Sequence, residues 1–219
     1  MTDRIDPKQD RGSLRFFSHV TMDDIAFFGH DIRNMVKLDL PTQIITERLT
    51  IQKLRYEEAE EIFYSYSSKP EATRYMSWPT HNSLDDTIAF LQYAERGWRA
   101  GTDYSFSVRL ANSARLIGSF GVMNEDGKVQ FGYIYSPTQW GKGYATEVCR
   151  AMMNTLRRQP GVYRIQTFTD VDNLASARVL IKSGLVEEGR LSHWYRFVNQ
   201  DNAAKDCIQF KLPMVSFKM

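Results

Sequence analysis

A β-rich run that passes through two glycines into a helix constrains this chain more than any other feature. Val129 to Tyr135 reads as a strand, Ser136-Pro137 ends it, and Trp140-Gly141-Lys142-Gly143-Tyr144-Ala145-Thr146-Glu147 leads into a helix over Ala145 to Arg158. Gly141 and Gly143 can take positive φ without steric cost, turning several N–H groups toward one point. The helix adds about half a positive charge there, so an anion fits. Each charge-assisted bond from such an N–H contributes about 1.5–3 kcal/mol, so three or four would hold a diphosphate without a metal. Lys142 adds a point charge beside it. Alternating glycines also suit a plain tight turn between strand and helix, and the choice falls to the neighbouring residues.

Two other phosphate loops are excluded. Lys142 is followed by Gly143, so no G-x-x-x-x-G-K-[ST] occurs, and no G-x-G-x-x-G carries a ribose-binding acid about 20 residues on. Those folds also open on a parallel sheet, whereas this chain opens on an antiparallel meander.

The meander is read from three runs, Tyr104 to Leu110, Leu116 to Met123 and Val129 to Tyr135. Turn chemistry at Ala111-Asn112-Ser113 and Asp126-Gly127 separates them. Before it, Ile45 to Leu54 reads as a strand and Tyr56 to Tyr66 as a helix. A second helix over Thr87 to Trp98 has a capping-box pair at Ser83 and Asp86 and a stop at Gly101. After the Ala145 helix, Pro160-Gly161 breaks the chain. A strand over Val162 to Thr169, a helix over Leu174 to Ser183, a strand from Leu185 to Arg190 or on to Val198, and a strand over Asp206 to Leu212 follow. The fold class is α+β, residues 44–219 forming the main domain. Residues 1–43 read as an extension with one amphipathic helix, whose apolar face (Ile25, Phe28, Ile32, Met35, Val36) would pack on the core or on a second copy in a homodimer.

The formal net charge is +2 and no block of five like charges occurs, so neither a nucleic-acid stripe nor a membrane anchor is written here. With no leader and no long apolar span, a soluble, cytoplasmic protein is expected. Cys149 and Cys207 read as core thiols, and His19, His30, His81 and His193 lack ligand spacing, so no metal is expected.

Trp140 to Glu147 resembles the pyrophosphate loop of the GNAT acetyltransferases, in the form seen in the RimJ/RimL branch that acetylates ribosomal-protein N-termini. The family loop is Gln/Arg-x-x-Gly-x-Gly/Ala; Gly143 and Ala145 match its last two fixed positions, and Trp140 stands at the leading one. About 30 residues on, Asn173 to Leu185 is similar to the branch's Asn-x-x-Ser-x-x-Val-x-x-Lys-x-Gly-Phe helix, with Leu185 at the Phe position. Ile45 to Leu49 resembles its opening strand.

The resemblance implies the GNAT fold, a mixed and mostly antiparallel sheet splayed at its fourth strand and flanked by helices, with acetyl-CoA as acetyl donor and an amine as acceptor. It places pantetheine against backbone groups of Ile134, Tyr135 and Ser136, and the pyrophosphate on Trp140, Gly141, Lys142, Gly143, Tyr144, Ala145 and Thr146. Asn173, Ser176 and Lys182 on the later helix complete the cofactor set. Asn173 is also simply a good helix cap.

Acetyl transfer needs an unprotonated amine, a polarised thioester and a proton for the thiolate. At pH 7, deprotonating a lysine costs about 4.6 kcal/mol but an α-amine only about 1 kcal/mol. No base is assigned, because the branch's acid before the Gly-Tyr of the fourth strand is Gln130 here, and Glu125 and Asp126 read as solvated turn residues. The family's proton-donating tyrosine, seven residues after the asparagine, is replaced by Leu180. Ser176 is the branch's substitute donor and the catalytic candidate. Tyr75 to His81 and the hairpin residues His193, Trp194 and Tyr195 would line the acceptor pocket or close the core edge. Gln130 and Leu180 leave open a second reading, a CoA-binding module with little or no turnover.

Overall fold

Eight strands form one sheet in the order β1-β2-β3-β4-β5-β6-β8-β7 in the computed structural model, which describes residues 35–214. The strands are β1 (Gln43–Ile45), β2 (Leu49–Lys53), β3 (Asp103–Leu110), β4 (Leu116–Glu125), β5 (Lys128–Tyr135), β6 (Arg164–Asp170), β7 (Val186–Arg196) and β8 (Ala204–Lys211). The helices are α1 (Ala59–Ile62), α2 (Pro70–Thr73), α3 (Leu84–Ala100), α4 (Tyr144–Leu156) and α5 (Leu174–Lys182). Every strand pair is antiparallel except β5 with β6, whose connection runs through α4.

Alternation along β5 separates two cores. Val129, Phe131 and Tyr135 join the cluster under α4, whose Val148, Cys149, Met152, Met153 and Leu156 are all buried. Ile134, of the opposite parity, joins Ile62, Tyr66, Phe90 and Leu91 from α1, its π-turn and α3. Each such buried apolar side chain contributes about 1.5–3 kcal/mol. Both cysteines are free and buried, as expected of core thiols.

The parallel pair is where the sheet opens. β5 and β6 match only over Lys128–Gln130 and Arg164–Gln166. One step further, Thr167 Oγ1 donates to the Phe131 carbonyl at 2.7 Å. Beyond that, β5 stays with β4 as far as Tyr135, while β6 follows β8 to Asp170. The expected splay is therefore present, leaving the C-terminal half of β5 unpaired on its β6 side.

Three sequence readings change. The strand read over Ile45 to Leu54 is two strands joined by a turn at Thr46 to Arg48, which α4 holds from outside. The helix read over Tyr56 to Tyr66 is a 3-10 turn at Tyr56–Glu58, the short α1 and a π-turn at Phe63–Ser67. Its irregular start follows from the buried Glu58 carboxylate, which accepts from Arg109 Nη2 at 2.7 Å, Ser107 Oγ at 2.9 Å and the Arg55 N–H at 2.8 Å. That network draws the chain down onto β3. A short helix, α2, also stands where the sequence stops at Pro70, because proline suits the first helical position.

The capping box of α3 is present as read, with Asp86 accepting from the Ser83 N–H at 3.0 Å and Gly101 ending the helix at φ 78°. Val36 to Leu40, assigned by sequence to the extension, lies on the core: Leu38 and Leu40 are buried and the Val36 N–H donates to Asp126 at 2.8 Å. Asp126 is thus a ligand of this segment and not a free turn carboxylate. The helix read between Ile25 and Val36 falls almost wholly outside the described residues. No helix among them is long and apolar enough to cross a membrane.

Candidate active site

The opening between β5 and β6 holds a cleft of about 480 Å³, bounded at one end by the glycine turn and along one side by α5. At the turn, Gly141 and Gly143 have φ 76° and 80°, and Gly143 is the N-cap of α4. Glycine brings no side chain to cap the helix, so the first-turn N–H groups of Tyr144, Ala145 and Thr146 are free of a cap and border the cleft. A Cβ built on Gly141 would meet nothing within 4 Å. Glycine is required there for its φ, not for lack of room.

Glu147 braces this cradle. It accepts from Thr46 Oγ1 at 2.7 Å, the Arg48 N–H at 3.0 Å and Arg48 Nε at 2.7 Å, while Arg48 Nη1 donates to the Lys142 carbonyl at 3.0 Å. Partial burial pushes the Glu147 carboxyl up, but the bonds from Thr46 and Arg48 outweigh it and hold its pKa below the ordinary value. The Arg48 guanidinium also lies over the Tyr144 ring, 4.8 Å from its centroid. The β1–β2 turn and the cradle are thus joined by four hydrogen bonds and a stacked guanidinium.

Of the residues assigned to the cofactor from sequence, Ile134, Tyr135, Trp140, Gly141, Gly143, Tyr144, Ala145, Thr146, Asn173, Ser176 and Lys182 border the cleft. Ser136 and Lys142 do not. The Ser136 N–H donates to the Ile117 carbonyl and its own carbonyl accepts from the Gln139 N–H, so its backbone is spent within the protein. Lys142 Nζ turns back to the Thr138 carbonyl at 3.0 Å and Gln139 Oε1 at 2.9 Å, which makes it a strut of the turn. Trp140 Nε1 closes the strand end by donating to the Tyr135 carbonyl at 3.0 Å.

Asn173 caps α5, its Oδ1 accepting from the Ser176 N–H at 3.1 Å, which leaves its amide nitrogen to the cleft. Ser176 Oγ lies 2.9 Å from Tyr133 Oη, a residue of β5 that the sequence did not single out. Burial raises the Tyr133 hydroxyl well above the usual tyrosine value. Leu180 is 1% exposed, so the tyrosine position of other family members is apolar core here. Lys182 borders the cleft from the last turn of α5, and its carbonyl is clasped by Arg150 of α4 at 2.8 and 3.0 Å.

The cleft is also walled by Tyr75, Met76, Ser77 and Trp78 from the loop read as a candidate, and by Phe168 and Phe197. His81 lies behind Trp78, with ring centroids 4.9 Å apart, and Nδ1 meets Thr87 Oγ1 at 2.8 Å. Burial lowers its pKa to about 4. His193, Trp194 and Tyr195 do not border the cleft. His193 and Trp194 are exposed, while Tyr195 packs between Phe168 and Phe197 at 5.2 and 5.0 Å. Strand alternation with two bulges in β7 decides which hairpin residues face inward, and composition alone does not register bulges.

Two further residues escaped the sequence reading. Asn199, in the β7–β8 turn, donates to the Thr73 and Trp78 carbonyls at 2.7 and 2.8 Å and accepts from the Thr80 N–H at 2.9 Å. It pins the Tyr75 to Thr80 loop across separations of 119 to 126 residues. Glu71, at the start of α2, is the sole carboxylate bordering the cleft among the described residues. Its glutamate belongs to a first helical turn, a position that helix electrostatics alone explain, so sequence carries no signal of its place at the cleft.

Residues 48–186 match the acetyltransferase (GNAT) domain family. The uncharacterized N-acetyltransferase p20 of Bacillus licheniformis is 26% identical over 151 residues, covering 68% of this chain and 84% of the relative. Among the solved structures that share the fold are two acetyltransferases bound to coenzyme A. One is RimL, a ribosomal L7/L12 α-N-protein acetyltransferase in complex with coenzyme A, at TM-score 0.68 and 15% identity over 77% of this chain and 95% of that one. The other is a spermidine N-acetyltransferase from Vibrio cholerae in complex with CoA and spermine, at TM-score 0.66 and 17% identity over 77% and 97%. With the domain match spanning more than half of the sequence, and the splayed sheet and glycine cradle in place, this chain belongs to the GNAT acetyltransferase family.

Proposed function

We propose that this protein transfers the acetyl group of acetyl-CoA to a primary amine, on a protein N-terminus or a small molecule, by direct attack of the amine on the thioester. One observation carries the reading: the uncapped N–H groups of α4 and the unpaired half of β5 open into the same cleft. The first suits a pyrophosphate and the second an extended, amide-bearing arm, and the family's solved members RimL and the spermidine enzyme hold CoA. Tyr144, Ala145 and Thr146 bind the pyrophosphate through their N–H groups, and Asn173 offers its amide nitrogen to pantetheine. Ser176 gives a proton to the departing thiolate.

Among the described residues no carboxylate other than Glu71 borders the cleft, which favours an acceptor that needs little help in losing its proton. An α-amine meets that demand at a cost of about 1 kcal/mol at pH 7.

Gly143→Glu tests the placement of the cofactor, because it forces a left-handed φ on a side chain and sets a negative charge at the cradle. CoA affinity by calorimetry falls at least 100-fold on this reading, and unchanged affinity overturns it. Gln130 and Leu180, in place of acid–base groups, favour a second reading, a CoA-binding module with little turnover. Thiol release from acetyl-CoA across a panel of peptides and small amines separates the two: tight CoA binding without acceptor-dependent release establishes the second.

A further inference from the structure

We infer that Tyr133 is the positioning residue that turns the Ser176 hydroxyl into the cleft as a proton donor, an inference that rests on the acetyl-transfer reading above. Tyr133 stands on β5 where the sheet has opened, and its ring is held between Phe120 and Tyr135 at centroid distances of 6.3 and 6.1 Å. Among the described residues its hydroxyl oxygen has two hydrogen-bond partners, Ser176 Oγ at 2.9 Å and the Ser176 carbonyl at 3.4 Å.

The two hydroxyls admit two arrangements. If Ser176 donates to Tyr133, the phenol's own proton is left with the Ser176 carbonyl at 3.4 Å, beyond the usual 2.5–3.0 Å of an O–H···O bond, or with the cleft that Tyr133 also borders. If Tyr133 donates to Ser176 Oγ, the phenol is fully satisfied at 2.9 Å. A phenol is the more acidic of the two hydroxyls and the alcohol oxygen the better acceptor, so the second arrangement prevails. Burial also keeps the tyrosine protonated at neutral pH, so it always has a proton to donate. A serine hydroxyl has one proton, and with Tyr133 on its lone pair and Asn173 holding the Ser176 N–H, that proton is directed to the cleft.

In the transfer, the amine nitrogen bonds to the acetyl carbon and the C–S bond breaks, its electron pair passing to sulfur. Sulfur takes the Ser176 Oγ proton, and Oγ recovers one from the newly acylated nitrogen, so one proton moves in net from amine to thiol. Tyr133 loses no proton. Its bond stabilises the charge that gathers on Oγ in passing and fixes the direction of the hydroxyl.

Four proteins test this: wild type, Tyr133→Phe, Ser176→Ala and the double variant, assayed with an acceptor that supports turnover. Phenylalanine keeps the ring stack, and CoA affinity by calorimetry reports the integrity of the cleft. Tyr133→Phe is expected to lower kcat about tenfold with the acetyl-CoA KM unchanged, and to cause no further loss in the Ser176→Ala background. Full activity in Tyr133→Phe overturns the inference, as do losses that multiply in the double variant, since Tyr133 then acts apart from Ser176. A wild type without turnover on any amine removes the acetyl-transfer reading itself and this inference with it. An active wild type with an unimpaired Tyr133→Phe removes the inference alone.

Discussion

Asp103, at the start of β3, is a carboxylate that the fold makes weakly acidic. It is 3% exposed, and burial pushes its pKa up to about 7 even though Ser105 Oγ donates to it at 2.8 Å. A raised carboxyl pKa means that the folded state binds the proton more tightly than the unfolded chain. Its contribution to stability is complete below about pH 4 and is lost as the pH rises to 7. Asp103→Asn therefore removes a penalty that grows from about pH 4 and is complete near pH 7. The variant is expected to gain on the order of 2–4 kcal/mol relative to wild type on going from pH 5 to pH 8, read by urea unfolding at both values. An equal effect at both would show that the carboxyl is not titrating in this window. Lys142 reads in sequence as a charge beside a phosphate loop, but its amine turns back to the neutral Thr138 and Gln139 oxygens and braces the turn, while the uncapped N–H groups of α4 border the cleft.

Two elements distant in sequence shape the site from outside it. The β1–β2 turn holds the cradle through Glu147, and the β7–β8 turn holds the loop around Trp78 through Asn199. Because these braces act on opposite ends of the cleft, their loss should affect different substrates. Asn199→Ala breaks three bonds to the backbone of Thr73, Trp78 and Thr80 and is expected to cost about 1–3 kcal/mol of stability. It should raise the acceptor KM severalfold while leaving the acetyl-CoA KM in place, by steady-state kinetics in each substrate. A rise confined to the acetyl-CoA KM would show that the turn serves the cofactor end.

Across the whole molecule, His81 opposes Asp103. Burial lowers the His81 pKa to about 4, so the folded state resists its protonation. That stability is present above about pH 6.5 and is lost as the pH falls toward 4. Between pH 5 and 6.5 the two groups change stability in opposite directions by about 1.4 kcal/mol per pH unit each, and the wild-type profile is expected to be nearly flat. His81→Gln should tilt it so that stability falls as the pH rises, and Asp103→Asn should tilt it the other way; parallel profiles in denaturant titrations would contradict the pairing. This balance cannot be read from the chain, since His81 and Asp103 look like ordinary polar loop and strand-edge residues until packing buries them. Much else was legible. The alternation of β5, the glycines at 141 and 143, the capping box of α3 and the Asn173 to Leu185 pattern are local, because φ preference, side-chain period and caps act within a few residues. Those local terms determined the fold class and the cradle. Only tertiary structure decided that β5 and β6 part after Gln130, that Tyr133 meets Ser176, that Phe197 and not Trp194 borders the cleft, and that Asn199 reaches the Tyr75 loop. Each of these is a contact between segments tens of residues apart, set by sheet register, strand bulges and burial, which no short stretch of sequence encodes on its own.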